Sequence, residues 1–262
     1  MYTPKQSIEL FHLLFLKQLE TKLDKKLYAL KGGCNLRFFF KSIRYSEDID
    51  LDVHTIARET LRHKIATILE SVVFKKILQQ QNMELVHCSE AKQSDTTQRW
   101  KLGIKLKTFS MVLPTKIEFS RRINVKDLNA QSGVVCFEMV DKTLTQKYRL
   151  YPILVNHYSA TEAFYQKINA LILRSQTQAR DVFYLKLLLD HLGHKFYQTS
   201  PHGTQNFNVH QAIENLEAVT FMDFKSQVLS FLLEEYQAYY NHVKIWESLK
   251  QEIYEVIEAL QP

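Results

Sequence analysis

The chain has 262 residues, 45% of them hydrophobic and 12% aromatic, and a formal net charge of +6. That is enough apolar sequence for one large domain or two modest ones, while only 6 Gly and 5 Pro argue against low-complexity or disordered stretches. No apolar run reaches the ~18 residues of a membrane span and no signal-peptide block opens the chain, so a cytoplasmic protein without membrane contact is expected.

Thr3 and Pro4 read as the N-cap and first residue of a helix, with Ile8, Phe11, Leu14, Phe15 and Leu19 at helical spacing. Residues 27–30 form a short strand candidate that runs into the turn signal Lys31-Gly32-Gly33, and residues 35–40 start a helix. Arg44-Tyr45-Ser46 reads as a loop. Residues 48–53 alternate acidic and apolar side chains, as a strand does. Residues 54–81 are rich in helix formers. Strand patterns occupy residues 83–122, where Leu102, Ile104 and Leu106 alternate with Gly103, Lys105 and Lys107, and Lys116 to Ser120 alternates again. Residues 134–140 form another strand candidate.

Beyond Asn156 the pattern is helical. Ser159 with Glu162 three residues on reads as a capping box, and helices are expected over residues 163–173 and 181–192. Residues 194–208 read as a polar loop. Two more helices follow, the last over about residues 222–260 with room for one break. The expected fold class is α+β: a mixed-sheet core over residues 1–155, then an all-helical half over residues 156–262.

Chemistry concentrates around the first glycines. Side chains alternate faces along a strand, so Asp48 and Asp50 point one way while Ile49, Leu51 and Val53 point to the other. Paired carboxylates on one sheet face call for a compensating cation, and Mg²⁺ (or Mn²⁺) suits hard oxygen ligands while leaving sites for phosphate oxygens. Gly32 and Gly33 lie at a strand-to-helix turn, where backbone N–H groups can approach a triphosphate. A phosphate turn followed by two metal-binding aspartates is a coherent device for nucleotidyl transfer. The net positive charge is compatible with a polyanionic partner such as RNA.

Other features read as structural. Phe38, Phe39 and Phe40 are core candidates. Asp52 is expected at the strand end in solvent, with assistance to the metal as the alternative, and Lys101, Lys105 and Lys107 are expected to form a solvated face, with contact to RNA phosphate as the alternative. His191 and His194 lack a third ligand and read as surface or capping residues. Cys34, Cys88 and Cys136 form no C-x-x-C pair and no even disulfide framework, in keeping with a reducing compartment. There is no Walker loop, dinucleotide fingerprint or serine-hydrolase elbow.

Leu30-Lys31-Gly32-Gly33-Cys34 together with Arg44-Tyr45-Ser46-Glu47-Asp48-Ile49-Asp50-Leu51 resembles the signature of the nucleotidyltransferase AbiEii toxin family, within the DNA polymerase beta-like nucleotidyltransferase superfamily. That signature is a Gly-Gly-Thr or Gly-Gly-Ser turn followed by Arg-x-Ser-x-Asp-[Leu/Ile]-Asp. Two later blocks extend the resemblance to about Leu189. Lys116 to Ser120 is similar to the strand of the third carboxylate, and Lys167 to Leu171 with Arg174 and Arg180-Asp181 is similar to the family's helical block.

The resemblance implies that Asp48, Asp50 and Glu118 bind metal, with Glu118 as ligand or as base toward the acceptor hydroxyl. It implies that Gly32, Gly33 and Cys34 shape the phosphate turn, with Arg44 and Ser46 supporting it. Lys167 would face the triphosphate and Asp181 would orient it. The spacing of Lys167, Arg174 and Asp181 predicts one polar helix face, which by default is exposed to solvent and otherwise would close a nucleotide cleft between the two halves. The implied activity is transfer of a nucleoside monophosphate from an NTP to an acceptor hydroxyl, such as the 3′ end of tRNA. The setting would be a toxin–antitoxin or phage-defence system with a cognate antitoxin. Modification of a protein hydroxyl, or a non-catalytic nucleotide- or RNA-binding role, are the alternatives. Two departures stand out: Cys34 replaces the small hydroxyl residue, and Tyr184 stands where the family often has an acid.

Overall fold

A computed structural model describes residues 2–107, 109, 111–121, 133–193 and 207–260. Two compact units emerge, one of Met1–Phe39 with Tyr45–Tyr158, the other of Phe40–Arg44 with Ser159–Pro262. Strands belong to the first unit and the later helices to the second, so the fold is α+β with a mixed sheet and a helical C-terminal part.

In the first unit the chain opens with α1 (Pro4–Leu19). Thr3 accepts from the Gln6 amide and Gln6 answers the Thr3 amide, a complete capping box. Next come β1 (Tyr28–Lys31), α2 (Gly32–Phe39) and β2 (Ile49–Val53). The helix-rich stretch that follows is two helices, α3 (Arg58–Glu70) and α4 (Val72–Gln80). Ser71 interrupts them, because its side chain accepts from the Phe74 amide and starts the second helix afresh. The long strands β3 (Met83–Gln93), β4 (Thr97–Leu106) and β5 (Met111–Ser120) follow. Then come β6 (Val135–Met139), α5 (Lys142–Lys147) and β7 (Leu154–Tyr158).

The sheet order is β3-β4-β5-β2-β1-β7-β6. The β2–β5 and β1–β7 pairs are parallel and the others antiparallel. Ile49, Leu51 and Val53 are buried with Ile117 and Phe119, as alternation requires, so the charged residues between them share the other face.

The sequence pattern carries no clear strand signal for β7. Asn156 and His157 interrupt its apolar pattern, yet both are buried: Asn156 donates to the Lys25 carbonyl at 2.9 Å, and His157 Nδ1 lies 2.9 Å from Asn35 Oδ1.

The second unit holds α6 (Ala160–Leu173), α7 (Ala179–Leu192), α8 (Val209–Glu217), α9 (Phe221–Gln227), α10 (Glu234–Tyr240) and α11 (Val243–Glu258). Phe224 stacks on Trp246 at 4.7 Å in its core. The expected final helix is three helices rather than one broken once. Its backbone is diverted near residue 232, where Leu233 N–H donates to the Ile43 carbonyl and Arg44 bridges Leu232 in β fashion. His194 and the first part of the loop expected over residues 194–208, through residue 206, lie outside the described residues.

Candidate active site

The chain leaves β1 at Lys31 and enters α2 at Gly32, whose φ of 67° is left-handed. A Cβ built there would lie 3.0 Å from Asp50 Oδ2. The left-handed backbone therefore favours glycine, and a side chain there would also press on the Asp50 carboxylate. Gly33 follows in the first turn of α2, whose N–H groups have no intrahelical acceptors.

Asp50 lies in β2, with Asp48 just ahead of the strand. Parallel pairing sets Asp50 opposite Glu118 of β5. Two residues back on the same face is Lys116. Its Nζ lies 3.2 Å from Asp48 Oδ2, 3.5 Å from Glu118 Oε2 and 3.9 Å from Asp50 Oδ1. From β4, Arg99 donates Nε to Glu118 Oε2 at 2.6 Å. The three sequence-predicted carboxylates thus gather about one cationic atom.

Burial pushes the Asp50 carboxyl above the usual aspartate range; Lys116 opposes this, and Glu118 and Asp48 add to it. Burial acts upward on Glu118 as well, but the Arg99 hydrogen bond and the Lys116 charge outweigh it and hold Glu118 below the usual range. Burial would lower Lys116, yet the three carboxylates raise it overall. A partly buried all-carboxylate set that already surrounds a positive charge fits a hard divalent ion, so Asp48, Asp50 and Glu118 are the residues that would hold Mg²⁺ or Mn²⁺.

Asp52 corrects the expectation of a solvated strand end. It is buried and accepts from Lys31 Nζ and from Tyr158 Oη, the latter at 2.9 Å, because β1 and β7 cover that end of β2.

The segment carrying Asp48 is fixed by its own carbonyl, which accepts from Ser46 Oγ at 2.7 Å and from Cys34 Sγ at 3.2 Å. Cys34 is wholly buried, and burial pushes its thiol well up, so it is a neutral donor. In this arrangement the residue in the family's hydroxyl position supports Asp48. His12 of α1 completes the network, with Nδ1 3.5 Å from Cys34 Sγ and Nε2 2.8 Å from Thr115 Oγ1. Thr115 gives its own hydrogen to the Glu47 carbonyl, so His12 Nε2 is the donor to Thr115. Burial lowers the His12 pKa to about 3. α2 is tied to α1 by the two-point pair of Arg37 with Glu9, at 2.8 and 3.2 Å.

In the second unit, Lys167 of α6 and Asp181 of α7 meet at 2.7 Å, and Arg174 Nη1 lies 2.6 Å from the other Asp181 oxygen. The three do not share one helix face, which corrects the expected stripe: two packed helices bring them together. Asp181 is fully buried rather than solvated. Burial acts to raise its pKa, but Lys167 and Arg174 together hold it below the usual range.

Tyr184, the departure from the family pattern, sits beside this group. Its hydroxyl accepts from Arg44 Nη1 at 3.0 Å and its ring lies 5.0 Å from Lys167 Nζ. Arg44 is buried, and its Nε donates to the Gln227 carbonyl at 2.9 Å. The motif arginine therefore anchors residues 40–44 within the second unit.

Lys101, Lys105 and Lys107 are exposed, and Phe38 is core. Sequence reasoning missed Lys116, Arg99 and His12. Lys116 was legible in principle, because strand alternation puts it on the face of Glu118. Arg99 depends on the β4–β5 register and His12 on tertiary packing.

A family model described as nucleotidyl transferase AbiEii toxin, type IV TA system, matches residues 14–221. Among solved structures, MenT4, a nucleotidyltransferase toxin from Mycobacterium tuberculosis H37Rv, is similar with a TM-score of 0.63 and 15% identity, covering 99% of this chain and 87% of that one. JHP933 from Helicobacter pylori is similar with a TM-score of 0.55 and 16% identity, covering 99% and 93%. At such identities the likeness speaks to fold alone. No curated protein gives a significant sequence match.

Proposed function

The chain belongs to the AbiEii family of nucleotidyltransferase toxins, and we propose that it transfers a nucleoside monophosphate from an NTP to a hydroxyl at the 3′ end of tRNA. In that reaction the acceptor oxygen bonds to the α-phosphorus, the bond to the departing pyrophosphate breaks, and the hydroxyl proton is released. The observation that carries the reading is the convergence of Asp48, Asp50 and Glu118 on one cationic position, beside a glycine turn that touches Asp50.

Asp48, Asp50 and Glu118 would hold Mg²⁺ or Mn²⁺, which when bound supplies charge stabilisation to the attacking and leaving oxygens. Glu118 is assigned to metal holding rather than to proton removal. Arg99 keeps its pKa low, and a base far below the working pH is inefficient. Gly32 and Gly33 are assigned to the phosphates, and the support of Asp48 to Cys34 and Ser46. Lys167 is assigned to the triphosphate, with Asp181 holding its ammonium. The exposed lysines of β4 and the net charge of +6 favour an RNA acceptor, because phosphate contacts dominate such affinity. Type IV toxin–antitoxin membership supports a cognate antitoxin as partner and a cytoplasmic, defence-related setting. Among the described residues no helix is long and apolar enough to cross a membrane.

The test is transfer of labelled nucleotide from each of the four NTPs, with Mg²⁺, to total tRNA, beside an Asp48→Ala/Asp50→Ala protein. Label on tRNA from the wild type alone supports the proposal and names the base. Absence of label, with NTP binding retained, overturns the tRNA assignment and points to protein acceptors or a binding-only role.

A further inference from the structure

A second cluster of ligand-type side chains stands on the other side of the sheet order, on the edge strand β6. Cys136 and Glu138 are two residues apart, so they share a face, and His157 of β7 is the register partner of Cys136. One ligand atom from each of the three lies within 4.8 Å of the other two. The His157 Nε2 to Glu138 Oε2 distance is 3.7 Å. In a tetrahedral zinc site, bonds of about 2.0–2.3 Å put neighbouring ligand atoms roughly 3.3–3.8 Å apart, so only small side-chain adjustments are needed.

The histidine is prepared for this role. Its ring is buried and stacked on Phe39 at 3.5 Å and 4°. Nδ1 lies 2.9 Å from Asn35 Oδ1 and 3.0 Å from the Tyr158 carbonyl. Asn35 Nδ2 donates to that same carbonyl at 3.0 Å, which fixes the amide so that its oxygen faces the ring. Both neighbours of Nδ1 are acceptors, so the proton belongs on Nδ1 and Nε2 presents a lone pair toward Cys136 and Glu138. A histidine oriented through its second nitrogen by backbone and amide oxygens is the usual outer-shell arrangement of a metal ligand.

We propose that Cys136, Glu138 and His157 bind a divalent transition metal of the zinc class, with the remaining coordination position open to solvent. Thiolate and imidazole select such an ion over Mg²⁺, so the site is chemically distinct from the Asp48–Asp50–Glu118 cluster and does not rest on the transfer activity. Binding would pin β6 to β7. Through His157 and Asn35 it would also stiffen α2, the helix that follows the glycine turn. The thiol proton is released as the metal–sulfur bond forms.

The test is Co²⁺ titration of the chelator-treated full chain, followed by optical absorption, for wild type, Cys136→Ser, Glu138→Gln and the exposed-thiol control Cys88→Ser. A thiolate-to-cobalt band saturating at one ion per chain is expected in wild type and Cys88→Ser, displaced by Zn²⁺ but not by excess Mg²⁺. Cys136→Ser should lose the band, and Glu138→Gln should weaken Co²⁺ binding by at least the roughly 10–100-fold seen when outer-shell partners are lost. No band in wild type, or an unchanged band in Cys136→Ser, would overturn the proposal. Should a variant misfold, alkylation of the wild type decides: Zn²⁺ must slow modification of Cys136 and leave Cys88 unaffected, and equal rates with and without Zn²⁺ refute the site.

Discussion

Replacing Lys116 by Met removes the ammonium that lies within 4 Å of Asp48, Asp50 and Glu118 while keeping the length of the stem. At the observed separations of 3.2–3.9 Å, each charge pair is worth about 4–5 kcal/mol at an effective dielectric of 20 and about 1 kcal/mol in water. The side chains are 17–31% exposed, which puts the pairs toward the weaker end, and the lysine's own desolvation is relieved by the substitution. The net loss expected at neutral pH without divalent metal is about 2 kcal/mol. Its pH dependence follows from Asp50. This carboxyl is already raised above the ordinary aspartate value of 3.8, and Lys116 is the charge that restrains it. An acid with a raised folded pKa loses stability as pH rises through the window between the unfolded and folded values. Lys116→Met widens that window upward, so the variant should approach wild-type stability at pH 5 and fall behind at pH 7–8. Mg²⁺ or Mn²⁺ should then stabilise the variant more than the wild type, since Lys116 no longer competes for the carboxylates. Thermal unfolding at both pH values, with and without Mn²⁺, measures this. An equal deficit at pH 5 and pH 8, with no added response to metal, would refute the shared-counterion reasoning.

Gly32→Ala should cost about 1–2 kcal/mol through its left-handed backbone and press its methyl onto Asp50, so transfer activity should fall more than stability. Denaturant unfolding beside a transfer assay separates the two effects. His12 has a depressed folded pKa, so its contribution to stability is present above about 6.5 and is lost as pH falls toward about 3, at about 1.4 kcal/mol per pH unit. In His12→Gln that acid-side slope should flatten, as read by unfolding midpoints between pH 4 and 7. Cys34→Ser keeps a donor to the Asp48 carbonyl and should retain activity, whereas Cys34→Ala leaves that carbonyl with Ser46 alone and should reduce turnover. A Cys34→Ser protein as impaired as Cys34→Ala would count against the donor role.

What could be read before the structure was largely what alternation and local signals encode. Alternation about the buried Ile49, Leu51 and Val53 puts Asp50 on the opposite face of β2, and Thr3-Pro4 announces α1. Glu118 could be placed on a strand face, but its nearness to Asp50 depends on the parallel β2–β5 register, which no local pattern specifies. Asp52 was misread for the same reason: its burial is created by β1 and β7, and β7 itself was masked by the polar Asn156 and His157. Asp181 looked like a surface residue at heptad distance from Lys167. Its burial and pairing follow from the packing of α6 on α7. The break between α9 and α10 coincides with backbone pairing to residues 43 and 44, a contact about 190 residues distant in sequence.

The account turns on whether Asp48, Asp50 and Glu118 hold a divalent ion for nucleotidyl transfer. The most direct measurement is an electron paramagnetic resonance titration of Mn²⁺ into the full chain at saturating NTP, for wild type and an Asp48→Asn/Asp50→Asn protein of matched fold. Saturable Mn²⁺ uptake in the wild type, competed by Mg²⁺ and lost in the double variant, is the predicted result. Equal uptake by both proteins, or none by either, would contradict the account.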